Sequence, residues 1–340
     1  MKDFKFAIAI FATILLVIPL VSVKLSNIVQ LDEKGYSSSA KVEEGDPSIK
    51  LDEDGGFKIL RTATGKVEEI FSVDYICGVV AAEMPASYND EALKAQAVAA
   101  FTYAYYKKAY NLAHPASTKA ISGADLSDDF HLYQAFITKS QAQQQWGTNF
   151  DKNWDKIYNA VCAVQNYVIT YSGKPIEADF FAISSGKTEN SKDVWGNVLP
   201  YLVSVGSEWD IKASDYSSKV TISQNDFKKA VQTKYKGAKF DIKPEKWLNI
   251  ITRSATGGVI SANLCSNTLT GNDLRQLFNL KSANFTLSFK NSIFTFDVKG
   301  SGHGVGMSQF GAQALALQGK KWNEIIKYFY TGVEIFNLYW

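Results

Sequence analysis

Histidine and cysteine each occur only three times in this 340-residue chain. Cys77, Cys162 and Cys265 are far apart and show no CxxC spacing. An odd, sparse set of this kind argues against a disulfide framework and against a cysteine-built zinc site, so the three read as small buried hydrophobes. So few histidines, with no GxSxG sequence, also argue against a serine nucleophile driven by an imidazole base. Neither charge sign is in large excess: 36 Lys and Arg against 34 Asp and Glu leave a net charge of +2. Nothing in that balance steers the chain toward nucleic acid.

The composition that remains is globular, with 46% hydrophobic and 21% charged residues. The 17 Tyr, 21 Phe and 7 Trp suit a large core and equally a carbohydrate cleft. At the N-terminus, Lys2 and Lys5 precede an uncharged run from Phe6 to Val23, which Lys24 closes. Its length is close to what a membrane-spanning helix needs, and Val21-Ser22-Val23 is a poor cleavage site. We read an uncleaved anchor over 6–23, a cytoplasmic tail over 1–5 and a body outside the membrane. The polar stretch 24–56, with GYSSS, EEGDPS and DEDGG, reads as a stalk. The folded region is expected over 57–340.

Within it one carboxylate stands out. Ile76, Val79 and Val80 precede Glu83 at helical spacings of seven, four and three, which puts all four side chains on one stripe. A carboxylate there loses hydration, which raises its pKa, and an acid still protonated near neutrality can donate a proton and later take one back. Pro85 ends the helix by biasing Met84 away from the α region. Ser72 is the expected N-cap and Asp74 suits the first turn. The structural alternative is a rim glutamate paired with a nearby Lys or Arg.

Around this helix the pattern predicts a hairpin (57–61 and 66–70, joined by TATG). A second helix follows, capped by Ser87 or Asn89, with Leu93, Ala97, Ala100 and Ala104 as its packing stripe. His114 and His131 lie near Asp125, Asp128 and Asp129 in a polar region, where solvated loops fit better than a metal site. A helix over 154–165 leads to strands over 167–171 and 176–181. The segment AISSGKTENSKDVWG after them has the short side chains of a ligand-contacting loop. Short strands then alternate irregularly with helices near 225–235 and 272–278, and Thr270 and Asp273 have capping-box spacing. The fold class expected is α+β, with mixed helices and short, mostly antiparallel strands forming a cleft. Near the C-terminus, Gly300, Gly302, Gly304 and Gly306 follow a strand and precede a helix ending at Gly319. They lack the GK[ST] ending of a phosphate loop, so they read as a place where backbone passes close to a ligand or another segment. For His303 two readings stand, a site residue and a tight packing turn.

Three stretches in order, VDYICGVVAAEMPASYNDEALKAQAVAAFTYA, FFAISSGKTENSKDVWG and GSGHGVGMSQFGAQALALQG, closely resemble the stage II sporulation protein D family, membrane-anchored lytic transglycosylases of endospore-forming bacteria. Proteins described as amidase enhancers share the first stretch. The resemblance implies that Glu83 is the catalytic acid/base. It implies that Gln96, Ser184, Ser185, Gly186, Glu189 and Trp195 bind the glycan, with His303 and Gln309 assigned to the same cleft. It further implies glycan strands stripped of stem peptides as substrate, and an engulfment complex with an amidase/endopeptidase (SpoIIP) and a multi-span membrane scaffold (SpoIIM). The location implied is the mother-cell membrane, facing the septal wall. Two departures from the family pattern matter: Phe101 stands where an arginine is common, and no cysteine lies between Cys77 and Cys162 to complete the zinc site of some relatives. No metal and no cofactor are expected.

A hydrolytic glycosidase usually needs two carboxylates. A lytic transglycosylase lets the sugar's own 6-hydroxyl attack, leaving a 1,6-anhydro end, so one acid suffices. The rival readings are a non-catalytic glycan-binding activator of an amidase, and a hydrolase using Glu189 or Asp193 as second carboxylate.

Overall fold

The computed structural model describes residues 55–338. The expected tail and anchor, and all but the last two residues of the expected stalk, lie outside the described residues. Among those described, no helix is long and apolar enough to cross a membrane.

The chain enters the fold through an antiparallel hairpin, β1 (Gly56–Arg61) and β2 (Lys66–Phe71). Phe57 and Ile59 alternate inward along β1, while β2 is charged and exposed, as befits an edge strand. Helix α1 (Ser72–Glu83) follows without a loop. Ser72 is therefore its first residue and not its N-cap, because the chain turns directly out of the strand. Phe71 holds the cap position with no side-chain bond, and the Ser72 N–H donates to the Gly55 carbonyl at 2.8 Å. Asp74 sits in the first turn, and the helix stops at Met84 in extended conformation before Pro85. From Tyr75 to Ala81 every residue is buried, so the single apolar stripe is corrected to a helix enclosed on all sides. Helix α2 (Asp90–Ala113) packs on it, capped by Asn89, whose side chain accepts the Glu91 N–H at 2.9 Å. Leu93, Ala97, Ala100 and Ala104 are all buried, and the small size of the three alanines lets neighbouring elements approach closely.

Helix α3 (Pro115–Ala120), strand β3 (Leu126–Ser127) and helix α4 (Lys139–Trp146) fill the polar region. Helix α5 (Phe150–Cys162) begins four residues earlier than expected. Strand β4 (Tyr167–Tyr171) turns into β5 (Lys174–Pro175). The strand expected over 176–181 shrinks to β6 (Phe180–Phe181). The Ile176 N–H still donates to the Ile169 carbonyl of β4, but beyond it the chain leaves the ladder, the Glu177 N–H donating to the Tyr201 hydroxyl and the Asp179 N–H to the Glu177 carbonyl. After the short helix α6 (Ser191–Trp195) the chain enters a separate β-rich module.

The module comprises β7 (Ser217–Ser223), α7 (Gln224–Lys234), β8 (Leu248–Arg253), β9 (Val259–Leu264), β10 (Asn267–Thr270), α8 (Gly271–Leu277), β11 (Phe285–Lys290) and β12 (Ile293–Lys299). Its strands form two antiparallel three-stranded sheets, β10-β9-β8 and β11-β12-β7. They enclose a core of their own in which Phe227 stacks on Phe294 and Phe278, at centroid distances of 4.1 and 4.6 Å. Thr270 and Asp273 form the expected capping box. The chain then returns to the first core through β13 (Met307–Ser308), α9 (Gln309–Leu317), α10 (Trp322–Phe329) and β14 (Glu334–Asn337). Helix α10 was not expected, although Ile325, Ile326 and Phe329 have helical spacing and all face the core. The architecture is mixed α+β, with helices and small sheets that are antiparallel except for the two-residue pairings β1–β3 and β6–β13.

Candidate functional site

Glu83 is the last residue of α1 and is half-buried. Its Oε1 accepts the Ala135 N–H at 2.8 Å and its Oε2 accepts the Gln309 side-chain amide at 3.1 Å. Burial raises its pKa above the usual carboxylate range, and these two hydrogen bonds oppose that rise. No neighbouring carboxylate among the described residues contributes to the shift. Neither bond comes from a cation, so the rim glutamate paired with Lys or Arg is not what forms. The side chain comes to its position because α1 is a core helix that ends at the surface, where Pro85 forbids a further turn.

Gln309 reaches Glu83 from the first residue of α9. Ser308 caps that helix by accepting the Gly311 N–H at 3.1 Å, and its hydroxyl donates to Asp210 Oδ2 at 2.6 Å. The same Asp210 oxygen accepts the Ser184 N–H at 2.6 Å. Asp210 is wholly buried, and its pKa is raised by that burial against the hydrogen bonds that hold it. One hidden carboxylate thus ties the serine-glycine loop to the start of α9.

The glycine-rich stretch passes against another segment of the chain. Ile183 bridges Ser301, Glu189 bridges Val305, and β13 runs parallel to β6. Gly306 shows why glycine is required: it has φ +81°, and a Cβ there would overlap the Asp179 carbonyl oxygen. His303 is fixed inside this crossing. Its Nδ1 accepts the Val305 N–H at 3.2 Å and its Nε2 donates to the Phe180 carbonyl at 3.0 Å, which defines the neutral tautomer. Burial first, and the charge of Arg275 second, push its pKa down to about 4. Both ring nitrogens are consumed by backbone, the geometry of the packing turn.

Of the residues singled out from the sequence, the fold brings Gln309 to Glu83. Gln96 is wholly buried in α2, and Ser184 is buried with its hydroxyl accepting the Gly186 N–H. Gly186 is buried, its carbonyl accepting the Ser207 N–H. Ser184, Ser185, Glu189 and His303 line a separate cleft against Ser254 and Asn272 of the β-rich module. Trp195 packs its ring on His303 at 5.3 Å. Glu189 is bound there by the Thr256 hydroxyl, and Asp193 accepts from the Asn190 amide at 2.8 Å. Neither is a neighbour that perturbs Glu83. Phe101 lies in the first core, ring to ring with Phe57 at 6.2 Å. His114 stacks on Tyr110 and bonds its carbonyl, while His131 lies against Phe130. Asp125 and Asp128 anchor the hairpin through the Lys58 and Thr62 N–H groups. Cys77 is buried, and burial pushes its thiol up to about 12; Cys162 and Cys265 are only partly covered.

Sequence reasoning missed Asp210, Ser308 and the segment that supplies the Ala135 N–H. Ser308, two residues before Phe310 and just ahead of the apolar helix, carries a readable N-cap signal. A backbone donor 52 residues from its acceptor carries none.

Fold and site together define an α+β protein with a lone desolvated carboxyl at the end of a core helix. A family model described as Stage II sporulation protein matches residues 61–171. The chain is 35% identical over 342 aligned residues to "Stage II sporulation protein D" of Bacillus subtilis (strain 168), covering 98% of this chain and 96% of that protein. It is 36% identical to the protein of the same name from Bacillus amyloliquefaciens, covering 89% and 86%. A protein named "Amidase enhancer" from Bacillus subtilis (strain 168) is 26% identical, over 76% of this chain and 40% of that one. The chain belongs to the stage II sporulation protein D family.

Proposed function

We propose that this protein is a peptidoglycan lytic transglycosylase of the sporulation cell wall, with Glu83 as its single acid/base. The observation that carries the reading is Glu83 itself: desolvated, held through both oxygens by uncharged donors, and unaccompanied by a carboxylate that perturbs it. A raised pKa keeps the proton available for the leaving glycosidic oxygen between MurNAc and GlcNAc. The resulting carboxylate then takes the proton of the substrate's own 6-hydroxyl as that oxygen closes the 1,6-anhydro ring. No water enters the products. Glu189 and Asp193 are poor second carboxylates, because each is engaged in the cleft beside the module or at the rim of α6.

Membership of the family supports a role in septal thinning and engulfment. The substrate proposed is glycan already stripped of peptides by a partner amidase/endopeptidase, beside a membrane scaffold protein. Residues 6–23 anchor the body in the membrane with the folded region outside. The decisive experiment incubates the purified protein with peptide-free glycan strands and weighs the products. We expect ends one water lighter than hydrolysis gives. Glu83→Gln is expected to lower turnover by roughly 10²–10⁴-fold with the fold kept. Ends that carry the added water, or a folded Glu83→Gln variant with full activity, refute the mechanism. The relative named as an amidase enhancer supports one rival, a glycan-binding activator, and unaltered strands with faster amidase turnover would favour it.

A further inference from the structure

The four residues Gln134–Ile137 form a strap without regular secondary structure, laid along α1. Gln134 is buried, and its side-chain Nε2 donates to the Tyr75 hydroxyl at 3.2 Å and to the Ala100 carbonyl at 3.3 Å. Phe136 stacks on the Tyr75 ring, centroids 5.3 Å apart and planes 24° from parallel, and the Arg61 guanidinium lies 5.0 Å from its ring centre. The Ile137 N–H donates to the Gly78 carbonyl at 3.3 Å. Gly78 lets this happen, since a Cβ there would overlap both the Phe136 ring and the Ile137 carbonyl oxygen. Immediately after the strap, Thr138 and Gln141 close a capping box that starts α4. Clamped at these points, the strap presents the Ala135 N–H to Glu83 Oε1 at 2.8 Å.

A backbone N–H only donates. Whatever the protonation state of Glu83, Oε1 must remain an acceptor, so the proton resides on Oε2. The partner of Oε2 is of a different kind: the Gln309 amide carries both a donor and an acceptor, and half a turn about its last bond exchanges them. It donates to the carboxylate and accepts from the acid.

We propose that Gly78 and Gln134 are positioning residues for Glu83, holding the strap so that the Ala135 N–H reserves Oε1 as an acceptor and directs the exchangeable proton to Oε2. The inference rests on the reading of Glu83 as acid/base only for its effect on turnover. The Glu83 titration is measurable without substrate.

The test uses the full chain with carboxyl-¹³C-labelled glutamate, the Glu83 resonance being assigned by its loss in Glu83→Gln. Three variants are titrated: Ala135→Pro, which deletes the donor atom; Gly78→Ala, which displaces the strap; and Gln134→Met, which frees its end with little change of volume. Each removes or loosens a bond to the charged form, so the Glu83 midpoint is expected to move up in all three, least in Gln134→Met. Turnover of glycan strands should fall about 10-fold in kcat with KM within about 2-fold, and the alkaline limb of the pH profile should move up with the midpoint. Unmoved midpoints in the folded variants overturn the strap proposal and leave the lytic reading standing. Shifted midpoints in a protein that never cleaves glycan support the strap and overturn the lytic reading. Because Gln134→Met alters only one side chain's polar end, it reports even where the two backbone-level changes prevent folding.

Discussion

The two cores of this molecule carry unequal shares of its chemistry. The first is gathered from both ends of the folded chain, residues 57–202 and 305–333, around α1 and α2. The second, within 227–298, closes on itself through a local stack of aromatic rings. Glu83 and its partners Ala135 and Gln309 all belong to the first. The module touches chemistry only at the other cleft, where Thr256 binds Glu189. The family model matches residues 61–171, wholly inside the first region. An acid that needs three remote segments in register is built where contacts are long-range, while a locally closed module is free to shape a neighbouring surface.

The largest effect that separates the regions should come from Phe294→Ala. Phe294 is fully buried, so truncation is expected to cost the module about 3–5 kcal/mol. Two unfolding transitions in urea should result, the first confined to the module, with the Glu83 titration unchanged. A shifted Glu83 midpoint would mean that the module supports the acid after all.

Acid should strike the regions in the opposite order. The module contains no histidine, whereas the body holds His303 neutral, with its pKa pushed down to about 4. For a base with a folded pKa below its unfolded value, the unfolded chain binds more protons between the two. Stability from this group is complete above about pH 6.5 and declines as pH falls through about 4, a loss of up to roughly 3 kcal/mol. His303→Gln keeps an acceptor for Val305 and a donor for Phe180, so it should flatten the stability profile over that window. An unchanged slope would show that His303 does not set it.

Asp210→Asn is the gentlest probe, because Asp210 lies just before the chain enters the module. Its Oδ2 can be replaced by an amide oxygen, but the charge that strengthens the hydrogen bonds from the Ser184 N–H and the Ser308 hydroxyl is lost. We expect a cost of about 1–3 kcal/mol, with a small upward move of the Glu83 midpoint as the cap of α9 loosens and Gln309 retreats. Loss of stability with no such move would separate Asp210 from the acid.

Much of this was legible beforehand. Pro85 ended α1, Asn89 began α2, and Thr270 and Asp273 capped α8, because caps and breakers act within one turn and need no tertiary partner. The raised proton affinity of Glu83 was expected from an apolar stripe. It arises instead from a helix enclosed on all sides, a difference periodicity cannot express. Gln96 had the right residue type for binding, yet folding hides it in the core, while Ser184 and His303 reach the second cleft with polar atoms already bonded to backbone.

By itself the sequence determined where elements start and stop, which segments bury apolar surface, and that a solitary carboxyl ends a hydrophobic helix. Tertiary structure alone decided what that carboxyl touches. A peptide N–H is the same at every residue and leaves no mark in composition or spacing, so only the folded chain could select the one at Ala135 as its partner.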